Sequence, residues 1–210
     1  MTQADQEKDY FHINRVLPYS THQLLSTGDS VDIGGESNPY FRFYEKNRKT
    51  YQLTQSDGQT LQIPGVKFLG SVKSGEINCP TLPAIAHELS MHLAGLVGEL
   101  IWEDVRKKEF PHLPSRQRCI WLIPNISGVK YWVLRLGVAP SAYQVLRVRC
   151  QGRMHIASEK YLLGESASLE DAVSMARQYW LGVVPEPKTE EIIFEGRFSV
   201  QEVLSPEQYT

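Results

Sequence analysis

Cysteine is scarce in this chain. Cys79, Cys119 and Cys150 make an odd number, and no two of them form a CxxC pair. A disulfide framework and a thiolate zinc site are therefore not expected, and a reducing compartment is. No apolar run reaches the roughly 18 residues of a membrane span. The opening MTQADQEKD is polar and acidic and lacks the apolar stretch of a secretory signal peptide. A cytoplasmic location is expected, or delivery into a target cell by a machine that reads a different signal. Charge of one sign is also lacking: 22 Lys and Arg stand against 24 Asp and Glu, a formal net charge of -2. That balance does not supply the basic footprint of a general nucleic-acid binder.

Familiar site motifs are missing too. No GxGxxG follows the first strand and no GxxxxGK[ST] occurs, so neither a Rossmann cofactor site nor a P-loop is indicated. His87, Glu88 and His92 look like a zinc-protease helix, but the histidines are five apart, not four. On a helix that sets them about 140° apart. Solvent-facing helix residues are the expected reading, and no metal is expected anywhere. Ser115 lacks the GxSxG elbow of a hydrolase, which leaves it a loop residue or a ligand contact.

What is present is ordinary globular composition, 41% hydrophobic and 22% charged over 210 residues, enough for one domain with a real core. Residues 1–9 read as a mobile tail. Tyr10 to Val16 reads as a strand, residues 20–38 as a loop rich in Gly, Ser and Asp, and Tyr40 to Tyr44 as a strand or extended flap. Gln55 to Gly58 reads as a turn. Ile85, Leu89, Leu93, Leu96, Val97, Leu100, Ile101 and Val105 fall at helical spacing, which predicts a long helix from about Thr81 to Glu109. Cys119–Ile123, Tyr131–Val138 and Val145–Cys150 read as strands. Ser168 to Trp180 reads as a helix with Ser168 as N-cap and Gly182 past its end. Glu191–Phe194 and Phe198–Leu204 read as a last strand, bent or broken at Gly196. This order predicts an α+β fold with an antiparallel or mixed sheet.

Two segments at opposite ends carry a resemblance. Tyr10-Phe11-His12-Ile13-Asn14-Arg15 resembles the first core strand of the ADP-ribosyltransferase superfamily, an aromatic or apolar pair followed by His. Glu191-Ile192-Ile193-Phe194-Glu195-Gly196, with Val200 nine residues after Glu191, resembles the family's last motif. Pro114-Ser115-Arg116, leading into Cys119-Ile120-Trp121-Leu122, stands where the family has its middle motif. Ala172 to Gly182, ending in Tyr179-Trp180-x-Gly182, resembles a group of largely uncharacterised bacterial members. The likeness runs from about residue 10 to 204. It implies a single domain over 10–210 with an ADP-ribosyltransferase-like split mixed or antiparallel sheet and flanking helices.

The resemblance also implies a chemistry: a mono-ADP-ribosyltransferase that uses NAD as substrate, without a metal, and modifies a protein target, in the manner of bacterial toxins or effectors acting on a host protein. Positive charge builds at C1′ of the ribose as nicotinamide leaves, and a carboxylate gripping the 2′-hydroxyl stabilises that state. Glu191 takes this catalytic part by the family spacing, with Glu190 and Glu195 as neighbours that stand for a slipped register. His12 and Asn14 fall on the NAD side, where His12 hydrogen-bonds a ribose hydroxyl. Ser115, Arg116 and Trp121 stand in place of the family's Ser-Thr-Ser run or Tyr. Trp121 either stacks on a planar ring or packs in the core. Arg116 or its rival Arg118 pairs with the pyrophosphate, or each is an ordinary surface arginine. This departure leaves the acceptor open, and NAD hydrolysis or non-catalytic nucleotide or protein binding are the alternative readings.

Overall fold

The computed structural model describes residues 2–3, 8–16, 24–46, 49–54, 58–137, 139–162 and 168–209. In chain order the elements are β1 (Thr2–Gln3), β2 (Asp9–Arg15), β3 (Ser30–Ile33), α1 (Pro39–Lys46), β4 (Thr50–Thr54), β5 (Thr60–Pro64), α2 (Gly65–Lys73) and α3 (Leu82–Glu109). There follow β6 (Ile120–Leu122), α4 (Ile126–Leu136), β7 (Tyr143–Ser158), α5 (Leu169–Trp180) and β8 (Glu190–Leu204). The fold is α+β, and its strand pairings among the described residues are antiparallel.

Two long strands organise the main sheet. β7 and β8 pair from Val145↔Leu204 to Ser158↔Glu190, with one irregularity between Arg147 and Val148. β1 and β2 line the free side of β7, while β3 and β6 line the free side of β8. Phe11 pairs with Arg147 near one end of the ribbon, whereas Leu122 pairs with Ile192 near the other. Yet Phe11 and Ile123 exchange two backbone hydrogen bonds of 2.9 and 2.7 Å. Only a strongly coiled sheet brings those edges together, and this closure joins β2 to the end of β6.

Gly152 and Gly196 sit directly opposite each other in the middle of the ribbon. Gly196 has φ +142°, and a Cβ there would stand 2.4 Å from the Gln151 carbonyl oxygen. The expected break at Gly196 is thus a continuous strand passing through a glycine-only backbone. Gly196→Ala is expected to cost about 1–3 kcal/mol, the usual range for forced overpacking. Urea unfolding would show it as a lower midpoint at unchanged slope; an unchanged midpoint would mean the ribbon accepts a side chain there.

Period-two alternation along β8 splits its residues between two layers. Ile192, Phe194, Phe198 and Val200 join Tyr10, Leu146 and Val148 inside the coil. Ile193 faces the helices and packs with Trp102 and Val105 of α3 and with Ala172, Ala176, Tyr179 and Trp180 of α5. A third cluster seats α4, through Val129, Trp132 and Val133, on Phe11, Ile13, Val145 and Leu204. The β4–β5 hairpin forms a separate two-stranded sheet beside α2.

Four expected segments differ. Tyr40 to Tyr44 is helical, within α1: Asn38 caps it by accepting from the Phe41 N–H at 2.9 Å, and Pro39 opens the first turn. The predicted strand at Tyr131–Val138 is part of α4 up to Leu136, and Val138 lies outside the described residues. Asn125 accepts from the Gly128 N–H at 3.0 Å, and Gly137 at φ +58° ends the helix. In both, aromatic and β-branched composition pointed to strand while a capping Asn nucleated helix. The stretch read as loop at 20–38 contains β3, paired with Ser199 to Gly196; its residues 20–23, and residues 55–57 of the expected turn, lie outside the described residues. Of the stretch read as a tail, residues 1 and 4–7 lie outside the described residues; Thr2–Gln3 pairs with Met154 and Arg153, and Asp9 opens β2. Among the described residues, no helix is long and apolar enough to cross a membrane.

Candidate functional site

Closure of the sheet leaves a cleft beside the junction of β2 and β6. It has two lobes, of about 380 and 250 Å³, and His12, Ile13, Arg15, Tyr40 and Trp121 line both. Tyr40 meets the Trp121 ring edge-on at 6.0 Å, so the two rings stand at the waist of the cleft. The larger lobe runs along Gly34, Gly35 and Asn38 toward Arg42 and Arg118. The smaller lobe is walled by Trp132, Leu136, Leu122 and Ile123 and ends on Arg116 and Glu191.

His12 is held by its place on β2: Nδ1 lies 2.9 Å from the Trp121 carbonyl oxygen, and the ring tilts against Phe198 at 6.1 Å. Asn14, two residues on and so on the same face, is buried, lines the larger lobe, and donates to Gln144 Oε1 at 3.1 Å. His12 and Glu191 line the smaller lobe together, although they come from opposite ends of the chain.

Glu191, the second residue of the last strand, lies on its helix-facing side and is buried. Its Oε1 accepts from Arg116 Nη1 and from the Tyr179 hydroxyl, each at 2.5 Å. Arg116 is buried as well. Its Nη2 and Nε donate to Glu99 of α3 at 2.9 and 3.3 Å, so two carboxylates share one guanidinium. Burial lowers the pKa of that guanidinium, but Glu99, Tyr179 and Glu191 outweigh it and hold the value well above the usual one. Burial first, and then Glu191, raise the Tyr179 hydroxyl, which stays protonated as a donor. Burial and the charge on Glu99 raise Tyr40 in the same way. Oε2 of Glu191 accepts no hydrogen bond among the described residues.

Ser115 does not reach the cleft. Its Oγ donates to Glu103 at 2.9 Å and its N–H to Glu195 at 2.8 Å, inside a second network that includes buried Arg106 and exposed Arg153. Arg116, offered with Arg118 as a partner for pyrophosphate, is occupied by Glu99 and Glu191; exposed Arg118 lines the larger lobe together with Arg15 and Arg42. Trp121 has a half-buried ring that lies under the Arg116 guanidinium at 5.8 Å and borders both lobes. Neither Glu190 nor Glu195 lines the cleft. Glu190 pairs opposite Ser158 with its carboxyl raised by burial, and Glu195 is bonded to Ser115 and Arg153.

Glu99 and Tyr179 were not among the expected site residues. A signal for Glu99 exists in the sequence: Glu99, Glu103 and Arg106 recur at helical spacing and all face inward.

Fold and site together define an α+β protein whose coiled antiparallel sheet carries an aromatic-waisted cleft ending on a buried carboxylate. The chain matches, over residues 10–206, the family described as "Protein of unknown function (DUF2441)" and belongs to that family. No curated protein matches the chain.

Proposed function

We propose that this chain is an NAD-dependent mono-ADP-ribosyltransferase with an ADP-ribosyltransferase-like fold and a protein acceptor. The observation that supports it best is the meeting of His12 and Glu191 at one aromatic-walled lobe. In this reading the flat nicotinamide ring enters the smaller lobe beside Trp121, and the phosphates extend into the larger lobe toward Arg118. Arg116 and Tyr179 fix Oε1 of Glu191, which leaves Oε2 to accept from the ribose 2′-hydroxyl. As the bond from C1′ to the nicotinamide nitrogen breaks, its electron pair leaves with nicotinamide and Glu191 stabilises the cationic sugar. An acceptor nucleophile then bonds to C1′ and its proton passes to Glu191. His12 holds a ribose hydroxyl and so orients the sugar.

The tight hold of Arg116 and Tyr179 on Glu191 also favours a second reading, a domain that binds NAD without turning it over. NAD labelled in the adenosine half distinguishes the readings. Nicotinamide release with label on an acceptor protein supports transfer, release without label supports hydrolysis, and binding without release supports the binding domain. Absence of any NAD binding ends all three. Trp121→Ala is expected to weaken NAD binding about tenfold, equivalent to about 1.4 kcal/mol of lost stacking. Titration calorimetry measures it, and an unchanged Kd would remove Trp121 from the binding site.

A further inference from the structure

We propose that Glu99 is a positioning residue for Glu191: it holds one edge of Arg116 and so limits that arginine to a single oxygen of the strand carboxylate. The inference rests on the reading of Glu191 as the group that grips the sugar. Glu99 lines neither lobe of the cleft, so it acts through Arg116 and does not touch substrate.

A guanidinium presents its N–H donors in a planar fork, and its strongest partner is a carboxylate that takes two of them side by side. Glu99 occupies that place. Its Oε1 and Oε2 accept from Nη2 and Nε at 2.9 and 3.3 Å. Nη1 is left for the cleft side, and it donates to Glu191 Oε1 at 2.5 Å and to the Tyr179 hydroxyl oxygen at 2.7 Å. That hydroxyl donates its own proton to the same Oε1 at 2.5 Å. Both donors thus converge on one oxygen of Glu191. Two buried carboxylates on one guanidinium carry more negative charge than is needed to neutralise it, and burial disfavours the surplus. Competition for the arginine accounts for it. With Glu99 released, the guanidinium would turn its free N–H groups toward the one buried carboxylate left beside it and take both oxygens of Glu191. The sugar would lose its acceptor, while Arg116 would keep a buried counter-charge and the fold would lose little.

Glu99→Gln tests this, because glutamine keeps the size of the side chain but offers Arg116 only one oxygen. The kcat of nicotinamide release is expected to fall about tenfold or more, with KM within about twofold and the melting temperature no lower. Glu103→Gln is the control. Glu103 is buried on the same helix, is paired with Arg106 and lines neither lobe, so this variant should leave both constants unchanged at equal folding. A crystal structure of Glu99→Gln supplies a readout that needs no turnover: Arg116 should donate to both oxygens of Glu191. An Arg116 that still meets only Oε1 there would overturn the proposal. An unchanged kcat beside an active native chain, or an equal loss in Glu103→Gln, would overturn it too. A native chain that releases no nicotinamide, with both oxygens engaged in the variant structure, would end the reading of Glu191 as a catalytic group and leave the hold of Glu99 on Arg116 standing.

Discussion

Glu191→Gln is expected to lower nicotinamide release about 100-fold or more while leaving the fold and NAD affinity nearly intact. The substitution keeps the side chain's size and an oxygen that can accept from Tyr179 and Arg116, which now hold Oε1. What it removes is the negative charge facing the developing cation. Loss of one such electrostatic contact raises a barrier by about 3 to 4 kcal/mol. Stability should change far less, because Arg116 keeps its two hydrogen bonds to Glu99. The Gln variant exchanges two carboxylates on one guanidinium for one, so no buried charge is left without a partner. The measurements are nicotinamide release, NAD titration and melting temperature on the same preparations. Equal rates at equal folding would remove Glu191 from the mechanism. Glu195→Gln serves as the control for register. It breaks the link between Ser115 and Arg153, on residues outside the cleft, and should change stability more than rate at equal folding.

The sequence discloses this architecture unevenly, for physical reasons. The strand over Tyr10 to Arg15 and the capped helix after Ser168 were legible because local signals decide them. Ser168 accepts from the Asp171 N–H at 3.1 Å, as its position before an acidic first turn implies. Segments 40–44 and 131–136 were not, because their residues favour strands and a single asparagine before each one settles the matter. The long helix was legible in extent but not in orientation. The apolar spacing left open which side is buried; Leu89, Trp102, Val105 and a charged row face inward. Periodicity reports that a helix has two faces; it does not say which is buried when the buried one carries paired ions. His12 and Glu191 were found by resemblance to a motif. Glu99 and Tyr179, which complete the environment of Glu191, come from α3 and α5, and no spacing in a one-dimensional chain announces that meeting.

Arg116→Met is expected to destabilise the fold by about 3–5 kcal/mol near neutral pH, more than any other single change considered. The guanidinium donates four hydrogen bonds, from Nε and Nη2 to Glu99 and from Nη1 to both Glu191 and Tyr179, and its plane lies over the Trp121 and Tyr179 rings. Methionine fills similar space but leaves Glu99 and Glu191 buried with no cation between them. Two consequences separate this from a simple packing loss. The first is pH dependence. Carboxylates buried without a cation favour their protonated form, so in the variant their folded-state pKa values rise above the unfolded value of about 4.3. The folded state then binds more protons than the unfolded one, and stability falls as pH rises through the raised values. Between the variant and the native chain, the stability gap should therefore narrow as pH falls toward about 4 and widen toward neutrality. The second is rescue: adding Glu99→Gln and Glu191→Gln to Arg116→Met removes both unpaired charges, and should restore most of the loss at neutral pH without restoring nicotinamide release. Urea unfolding across a pH series reads both effects. A gap that is small, or that stays constant with pH and is not relieved by the two glutamines, would show that the guanidinium is not what neutralises this buried pair.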